Sequence, residues 1–209
     1  KIANEINWNS LLSNQSELRN IIMEEKDEYG KYAVELPFKD GAFRLQTGVL
    51  ESEELWLKLS ELFFPVNHIK SFDSFSIPFK CIATNAANGE IVILEKGEIV
   101  QALRSSMAIP SFFTAVDYED KKLVDGGLVR NFPVRDVKAM GADYVIGVSV
   151  TSGLTPTEKL NNPVTVLMNS VFFKEAEDSK KEIPLCDIYI AMPVQDYSTG
   201  SFGKSDAIM

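Results

Sequence analysis

Residues 123–150 read LVDGGLVRNFPVRDVKAMGADYVIGVSV, and this stretch decides the fold class. The apolar residues at its start predict the end of a strand. Pro133 opens a helix and Gly141 closes it at the C′ position. Residues 143–150 form a near-continuous apolar run, which is typical of a strand buried in a parallel sheet. A strand, a helix and a strand in this order predict a βαβ unit with its two strands side by side, and therefore an α/β fold.

Asp125 stands at the end of the first of these strands and is followed by Gly126 and Gly127. A turn explains this pattern, because aspartate caps its own backbone and glycine tolerates a positive φ. A functional site explains it as well, because two glycines let another chain segment or a substrate come close to the carboxylate. Sites collect at the C-terminal ends of strands in βαβ units, so we expect Asp125 to face a groove.

Further elements follow from periodicity and from turn residues. Phe79–Thr84 and Ile91–Leu94 flank an Asn-Gly turn and predict a hairpin. Glu51–Phe64 is the strongest helical pattern, with an acidic first turn and Pro65 at its end. Its wide apolar arc predicts burial against a sheet, with a lid or lipid-facing role as the alternative. Other predicted elements are helices at Ile6–Ser13, Glu17–Tyr29, Val164–Ser179 and from Ile99 to near Pro110, and a last strand in residues 186–193.

Composition and charge exclude several classes of protein. The 209 residues are 45% hydrophobic and 24% charged, which predicts one soluble domain covering residues 1–209. No apolar run approaches the roughly 18 to 20 residues that cross a bilayer. A net charge of −9 argues against nucleic acid and against electrostatic docking on anionic lipid. Any contact with a membrane surface is therefore expected to use apolar residues.

The chain offers few residues for metal or nucleophilic chemistry. His68 is its one histidine, so a site with several histidine ligands is excluded, and its loop context predicts a structural role. Cys81 and Cys186 lack zinc-ligand spacing and are expected to be small buried residues, although the sequence leaves a disulfide open. We expect no metal and no cofactor, since the glycine patterns that cradle nucleotide phosphates are also missing.

Three serines near predicted strand or helix ends are weak candidates for a nucleophile. Ser149 follows Gly147 but lacks the second glycine that a nucleophile elbow needs. Ser105 and Ser106 lie at the end of a predicted helix with no histidine base in sequence reach. All three are therefore predicted to be structural.

Four segments in order, FDSFSIPFKCIATNAANGEIVIL, ALRSSMAIPSFF, LVDGGLVRNFPV and MGADYVIGVSV, resemble the patatin-like phospholipases. The similarity is to the bacterial branch close to the neuropathy-target-esterase type, and it runs from about Trp8 to about Phe202. It implies a three-layer sheet flanked by helices, here in a truncated version.

The resemblance also implies a mechanism. The family uses a Ser-Asp dyad in which a serine in a GxSxG elbow attacks an ester and the aspartate of a DGG or DGA motif is its base. Asp125 matches that aspartate, and Gly126 and Gly127 would let its turn approach the elbow. A carboxylate with an ordinary pKa of about 3.9 is a weak base toward a hydroxyl. Much of the rate is therefore expected from an oxyanion hole.

Neither the GxSxG elbow nor the glycine-rich oxyanion loop occurs in the 209 residues. We therefore expect the chain to be the C-terminal portion of a larger patatin-like domain, inactive alone. The resemblance implies a phospholipid or other acyl-ester lipid as substrate and is compatible with a homodimer. It leaves the compartment open, because relatives occur both in the cytoplasm and as exported proteins. The alternatives are a non-catalytic lipid-binding or interaction module on the same scaffold, and an unrelated nucleotide binder that the missing phosphate loop disfavours.

Overall fold

The structure is a computed structural model, and it describes residues 6, 8, 38–39, 42–43, 48–50, 53–151, 153–161, 163–194 and 197. Its helices are α1 (Glu53–Phe63), α2 (Ile99–Ser106), α3 (Val134–Ala139), α4 (Pro163–Val171) and α5 (Phe173–Glu182). Its strands are β1 (Phe38–Lys39), β2 (Ala42–Phe43), β3 (Gly48–Leu50), β4 (Cys81–Asn85), β5 (Ile91–Leu94), β6 (Ser111–Phe113), β7 (Val116–Tyr118), β8 (Lys121–Asp125), β9 (Ile146–Ser149) and β10 (Ile188–Ala191). Apart from Ile6 and Trp8, the helices predicted at Ile6–Ser13 and Glu17–Tyr29 lie outside the described residues.

A four-stranded antiparallel sheet in the order β5-β4-β8-β7 carries Asp125. The predicted hairpin is confirmed, since β4 and β5 pair from Cys81 opposite Leu94 to Thr84 opposite Ile91. The next pairing places Asp125 opposite Ala83, and β7 closes the other side of β8. The remaining strands form the pairs β1-β2, β3-β6 and β9-β10.

Helix α2 packs on this sheet and builds the main core with it. The predicted helix is confirmed, and it ends at Ser106, before Pro110. The buried residues of this core come from β4, β5, β8, α2 and the segment before β4, and they are Phe72, Ala83, Leu94, Ile99, Val100, Ala102 and Leu123. The sheet that carries Asp125 is thus anchored by the best-packed part of the described chain.

The predicted βαβ unit is wrong, although its helix is confirmed. Strand β8 has β4 and β7 as antiparallel neighbours, while β9 pairs in parallel with β10. Both edges of β8 are therefore occupied, and α3 links strands of two different sheets. Gly141 follows α3 with a φ of +95°, as a glycine at the C′ position should. Helices combined with parallel and antiparallel strands place the chain in the predicted α/β class.

Strand β9 is parallel as expected but is not buried on both faces. Gly147 and Ser149 are buried, whereas the alternate residues Ile146 and Val148 are 58% and 51% exposed. All four residues of β10 are also exposed. The described pair β9-β10 therefore presents an apolar surface, which we call the β9–β10 face (Ile146, Val148, Val150, Ile188 and Ile190).

The helix predicted at Val164–Ser179 is two helices in the structure. Helix α4 ends at Val171 and α5 begins at Phe173. Phe172 between them has φ −88° and ψ 0°, which lies outside the ideal helical values near −63° and −42°. An apolar period alone did not reveal this interruption, because Val171, Phe172 and Phe173 continue the hydrophobic pattern.

Helix α1 begins two residues after its predicted start and continues as a 3₁₀ turn over Phe64–Val66. It packs against α2, and Leu55 on that side is buried. Trp56 and Phe64 remain 48% and 77% exposed, whereas Phe63 packs against the main core. The lid or lipid-facing role given as the alternative stays a prediction.

Candidate active site

Asp125 is the last residue of β8, and its backbone is held from two sides. Its N–H donates to the carbonyl oxygen of Ala108 at 3.0 Å. Its carbonyl oxygen accepts a hydrogen bond from Thr84 Oγ1, also at 3.0 Å. Thr84 lies on β4 and is 4% exposed, so this bond is shielded from water. The position at which the strand gives way to the turn is therefore fixed by the neighbouring strand and by the segment after α2.

The two carboxylate oxygens of Asp125 have different surroundings. Oδ1 accepts the backbone N–H of Gly127 at 2.6 Å and caps the 3₁₀ turn Gly126–Leu128. Among the described residues, none donates a hydrogen bond to Oδ2 and no cation pairs with the carboxylate. Asp125 therefore caps its own turn as predicted, and this cap uses only one of the two carboxylate oxygens. Within the part of the chain that the structure describes, the second oxygen accepts no hydrogen bond.

Burial raises the pKa of the Asp125 carboxyl above its ordinary value, and the Gly127 N–H opposes this in part. The cause is desolvation, since a half-buried carboxylate loses water without gaining a cation. A higher pKa makes the carboxylate a stronger base toward a hydroxyl than an ordinary aspartate would be.

Gly126 and Gly127 serve the turn in different ways. A Cβ on Gly126 would lie 2.2 Å from the carbonyl oxygen of Ile82, which belongs to the backbone of β4. A Cβ on Gly127 would meet only side-chain atoms, Oδ1 of Asn131 and Oδ1 of Asp125, both at 3.0 Å. Neither glycine has a positive φ, so that part of the turn explanation is wrong. Close approach to β4 is what requires Gly126, and the approach to a nucleophile elbow stays a prediction.

An ion pair holds the far end of the same turn. Arg130 Nη1 donates to Oδ1 and Oδ2 of Asp136 at 2.7 and 2.9 Å, and the Arg130 N–H donates to the carbonyl of Gly126 at 2.9 Å. Asp136 lies in the first turn of α3, where a negative charge is favourable. The Asp125 turn is thus connected to α3 as well as to the sheet.

The three candidate serines occupy structural positions. Ser105 is fully buried and its Oγ donates to the carbonyl of Gln101 at 2.9 Å. Ser106 Oγ donates to the carbonyl of Ile82 at 2.7 Å, on the strand that Gly126 approaches. Ser149 is buried on β9. These contacts support the structural roles predicted for them.

The remaining sequence candidates are one histidine and two cysteines. His68 is exposed in the turn that follows α1. Cys81 and Cys186 are free thiols, each half-buried, so the alternative of a disulfide is not realised. Among the described residues, no cluster of three or more His, Cys, Asp or Glu side chains could hold a metal ion. Within the same residues, every helix is too short or too polar to span a membrane.

Thr84 on β4 is the site neighbour that sequence reasoning missed, and Cys81 lies on the same strand. Desolvation raises the pKa of the Cys81 thiol to about 12, while a hydrogen bond with Ser106 opposes this. The available signal for Thr84 was the pair Thr-Asn at the end of the apolar run CIATN, where a polar side chain inside a sheet needs a partner. The sequence could not show that this partner is Asp125.

The comparisons with known proteins identify the family. The sequence profile described as patatin-like phospholipase matches residues 29–138, just over half of the chain and including the Asp125 turn. The chain belongs to the patatin-like phospholipase family.

Two relatives illustrate how much of a larger protein the chain represents. Lysophospholipase NTE1 of Debaryomyces hansenii is 28% identical over 162 residues, which cover 65% of this chain and 10% of that protein. An uncharacterized NTE family protein of Mycobacterium bovis is 27% identical over 103 residues, which cover 49% of this chain and 28% of that protein. The chain therefore spans well under a third of either relative.

Proposed function

We propose that Asp125 is the general base of a Ser-Asp dyad in a lipid acyl hydrolase. The serine and the oxyanion donors would come from a part of the parent protein that the 209 residues do not contain. The observation that carries the proposal is the half-buried carboxylate with Oδ1 held by Gly127 and Oδ2 without a donor among the described residues. A base needs one oriented oxygen that is free to accept a proton.

The chemistry is a two-step acyl transfer. Asp125 takes the hydroxyl proton as the serine oxygen attacks the ester carbonyl, and the protonated carboxyl then gives that proton to the leaving alcohol oxygen. Water repeats the sequence on the acyl-enzyme and releases the fatty acid. The substrate class is a lysophospholipid or another acyl-ester lipid, in keeping with the name of the NTE1 relative.

Three proteins test the dyad: the 209-residue chain, the parent protein with its upstream segment, and the parent protein with Asp125→Asn. Hydrolysis of lysophosphatidylcholine and of p-nitrophenyl butyrate is measured for each. We expect background, turnover, and a loss of about 10²–10⁴-fold, the typical contribution of a positioned general base. The 209-residue chain is expected to be inactive because it contains no GxSxG elbow.

The matched control is Asp143→Asn, which removes the same charge from an exposed position. It should leave turnover unchanged, while circular dichroism shows that Asp125→Asn keeps the fold. Equal turnover in the parent protein and its Asp125→Asn variant would remove Asp125 from the mechanism. Turnover by the short chain would mean that one of its own serines is the nucleophile.

Exposed aromatic residues in α1 and in the 3₁₀ turn after it favour one alternative, a non-catalytic lipid-binding module on the same scaffold. Trp56 and Phe64 present apolar surface that a lipid phase would cover. In that case the parent protein would co-sediment with phosphatidylcholine vesicles and release no fatty acid from them. Vesicle binding together with fatty-acid release supports the hydrolase.

A further inference from the structure

We propose that Thr84 is a positioning residue for Asp125, whose hydroxyl fixes the peptide between strand β8 and the turn so that one carboxylate oxygen stays bound and the other stays free. The geometric part stands on the structure of this chain alone. The catalytic consequence rests on the function proposed for Asp125.

The Thr84 hydroxyl lies at the end of the β4–β8 pairing. Thr84 is paired with Val124 and Ala83 with Asp125, so the bond from Thr84 Oγ1 to the Asp125 carbonyl runs diagonally between β4 and β8. The ladder between these strands ends at Asp125. The hydroxyl therefore binds the chain at the point where the ladder stops supporting it.

The bond from Thr84 holds the peptide between Asp125 and Gly126. The Asp125 carbonyl belongs to the peptide that leads into Gly126, and a Cβ on Gly126 would collide with the Ile82 carbonyl at 2.2 Å. One side of the peptide is thus pressed against β4 while its oxygen is bound to Thr84. The N–H of Gly127 follows directly, and this N–H binds Oδ1 of Asp125 at 2.6 Å. The peptide that Thr84 holds therefore directly precedes the peptide whose N–H binds the carboxylate, and it helps to set the position of that N–H.

The hydroxyl of Thr84 is not needed to fill space. A buried hydroxyl loses its water and is retained at a cost unless it has a partner. Valine has nearly the same shape with a methyl group in place of the hydroxyl, so Thr84→Val keeps most of the packing and removes the bond. Thr114 provides a matched control, because its Oγ1 is buried and has no partner among the described residues.

The first experiment needs no activity. The pKa of Asp125 is followed in the 209-residue chain by the ¹³C shift of its carboxyl carbon in NMR titrations of wild type, Thr84→Val, Thr84→Ser and Thr114→Val. The Gly127 N–H lowers this pKa. Loosening of the turn should therefore raise the pKa of Asp125 in Thr84→Val. In the serine variant and in the control, the pKa of Asp125 should equal that of the wild type. An unchanged titration in folded Thr84→Val would overturn the inference.

A second pair of variants keeps the test decisive if Thr84→Val fails to fold. Thr84→Ser and Thr84→Cys differ only in oxygen against sulfur, and the thiol is a much weaker donor. The cysteine variant should show the upward shift and the serine variant should not. Identical titrations in the two variants would contradict the proposal.

The second experiment uses the parent protein. Because a misplacement of about 1 Å can cost up to 10²-fold, Thr84→Val should lower kcat by roughly 10- to 100-fold with KM little changed. Thr84→Ser should restore it, and the acid limb of the kcat profile should move to higher pH in Thr84→Val. A merely structural role would lower the amount of folded enzyme and leave the pH profile in place, which contradicts positioning.

The two proposals fail in different ways. Full activity in Asp125→Asn contradicts the proposed dyad. The pKa of Asp125 measured by NMR in Thr84→Val does not depend on that result. Loss of activity in Asp125→Asn together with an unmoved titration in Thr84→Val retains the dyad and removes Thr84 from it.

Discussion

At the scale of single residues, the adjacent Gly126 and Gly127 differ in how much space a side chain would have. Gly126 faces the backbone of β4, which cannot move without breaking the sheet, whereas Gly127 faces the ends of two side chains. We expect Gly126→Ala to destabilise the chain by about 1–3 kcal/mol or more, the usual range for overpacking. Gly127→Ala should cost less than about 1 kcal/mol, because Asn131 can rotate away. Urea unfolding of both variants makes the comparison, and equal losses would contradict the assigned close approach to Ile82.

The charge of Asp125 should make stability depend on pH in a particular direction. Burial raises its pKa in the folded state above the unfolded value, so the folded state binds this proton more tightly. The carboxyl therefore contributes stability below its unfolded pKa, and this contribution is lost as the pH rises through its folded pKa. Asn keeps the oxygen that Gly127 binds and removes the charge.

We therefore expect Asp125→Asn to be more stable than wild type at pH 7, with the difference shrinking toward pH 3. Urea midpoints at several pH values provide the measurement, since the other carboxyl groups are common to both proteins and cancel. A difference that stays constant with pH would show that Asp125 titrates normally. Stabilisation at neutral pH is what a residue kept for function and not for folding would show.

At the scale of elements, α1 and α2 are joined by a cation–π contact. The Arg104 guanidinium lies 4.3 Å from the centroid of the Trp56 ring, and burial lowers the pKa of Arg104 without neutralising it. In a double-mutant cycle of Trp56→Leu and Arg104→Met, the coupling should be about 0.5–1 kcal/mol, as for exposed pairs of this kind. Urea unfolding measures each corner of the cycle, and purely additive losses would mean that the two residues only fill space.

The elements that the sequence predicted correctly are those defined by local chemistry. The β4-β5 hairpin has its Asn-Gly turn, with Gly89 at a φ of +73°, and α3 has its terminal Gly141. The pairing of β8 could not be predicted in the same way, because an apolar run shows that a strand exists and not which neighbour it takes. The antiparallel partners β4 and β7 are decided by tertiary packing.

The candidate site was predictable to a similar degree. Asp125 followed from the motif, and the need for a glycine after it followed from the expectation of a close approach. The expected partner of that approach was a nucleophile, whereas the described contact is with the Ile82 carbonyl. Thr84 is 41 residues away in sequence, and no local pattern links it to Asp125.

At the scale of the whole molecule, the β9–β10 face is an apolar surface that faces water. Ile146, Val148 and Val150 are each more than half exposed, and contiguous apolar surface promotes association. We expect the 209-residue chain to self-associate with rising concentration in sedimentation velocity, and Val148→Lys to reduce this. Ile93→Lys on β5, with 42% exposure, is the matched control and should have a smaller effect. Equal effects would mean that net charge alone, and not this face, governs association.

The half-buried thiol of Cys81 on β4 can be used to measure how often the sheet opens. With a pKa of about 12, Cys81 is a reactive thiolate in roughly one molecule in ten thousand at pH 8, so the native sheet resists alkylation. In a Cys186→Ser background, we expect iodoacetamide to label the chain mainly when β4 leaves the sheet. The ratio of this labelling rate to that of a free thiol gives the free energy of opening under native conditions. A reagent that never contacts Asp125 would thereby measure the fraction of molecules in which the neighbouring strand β4 is open.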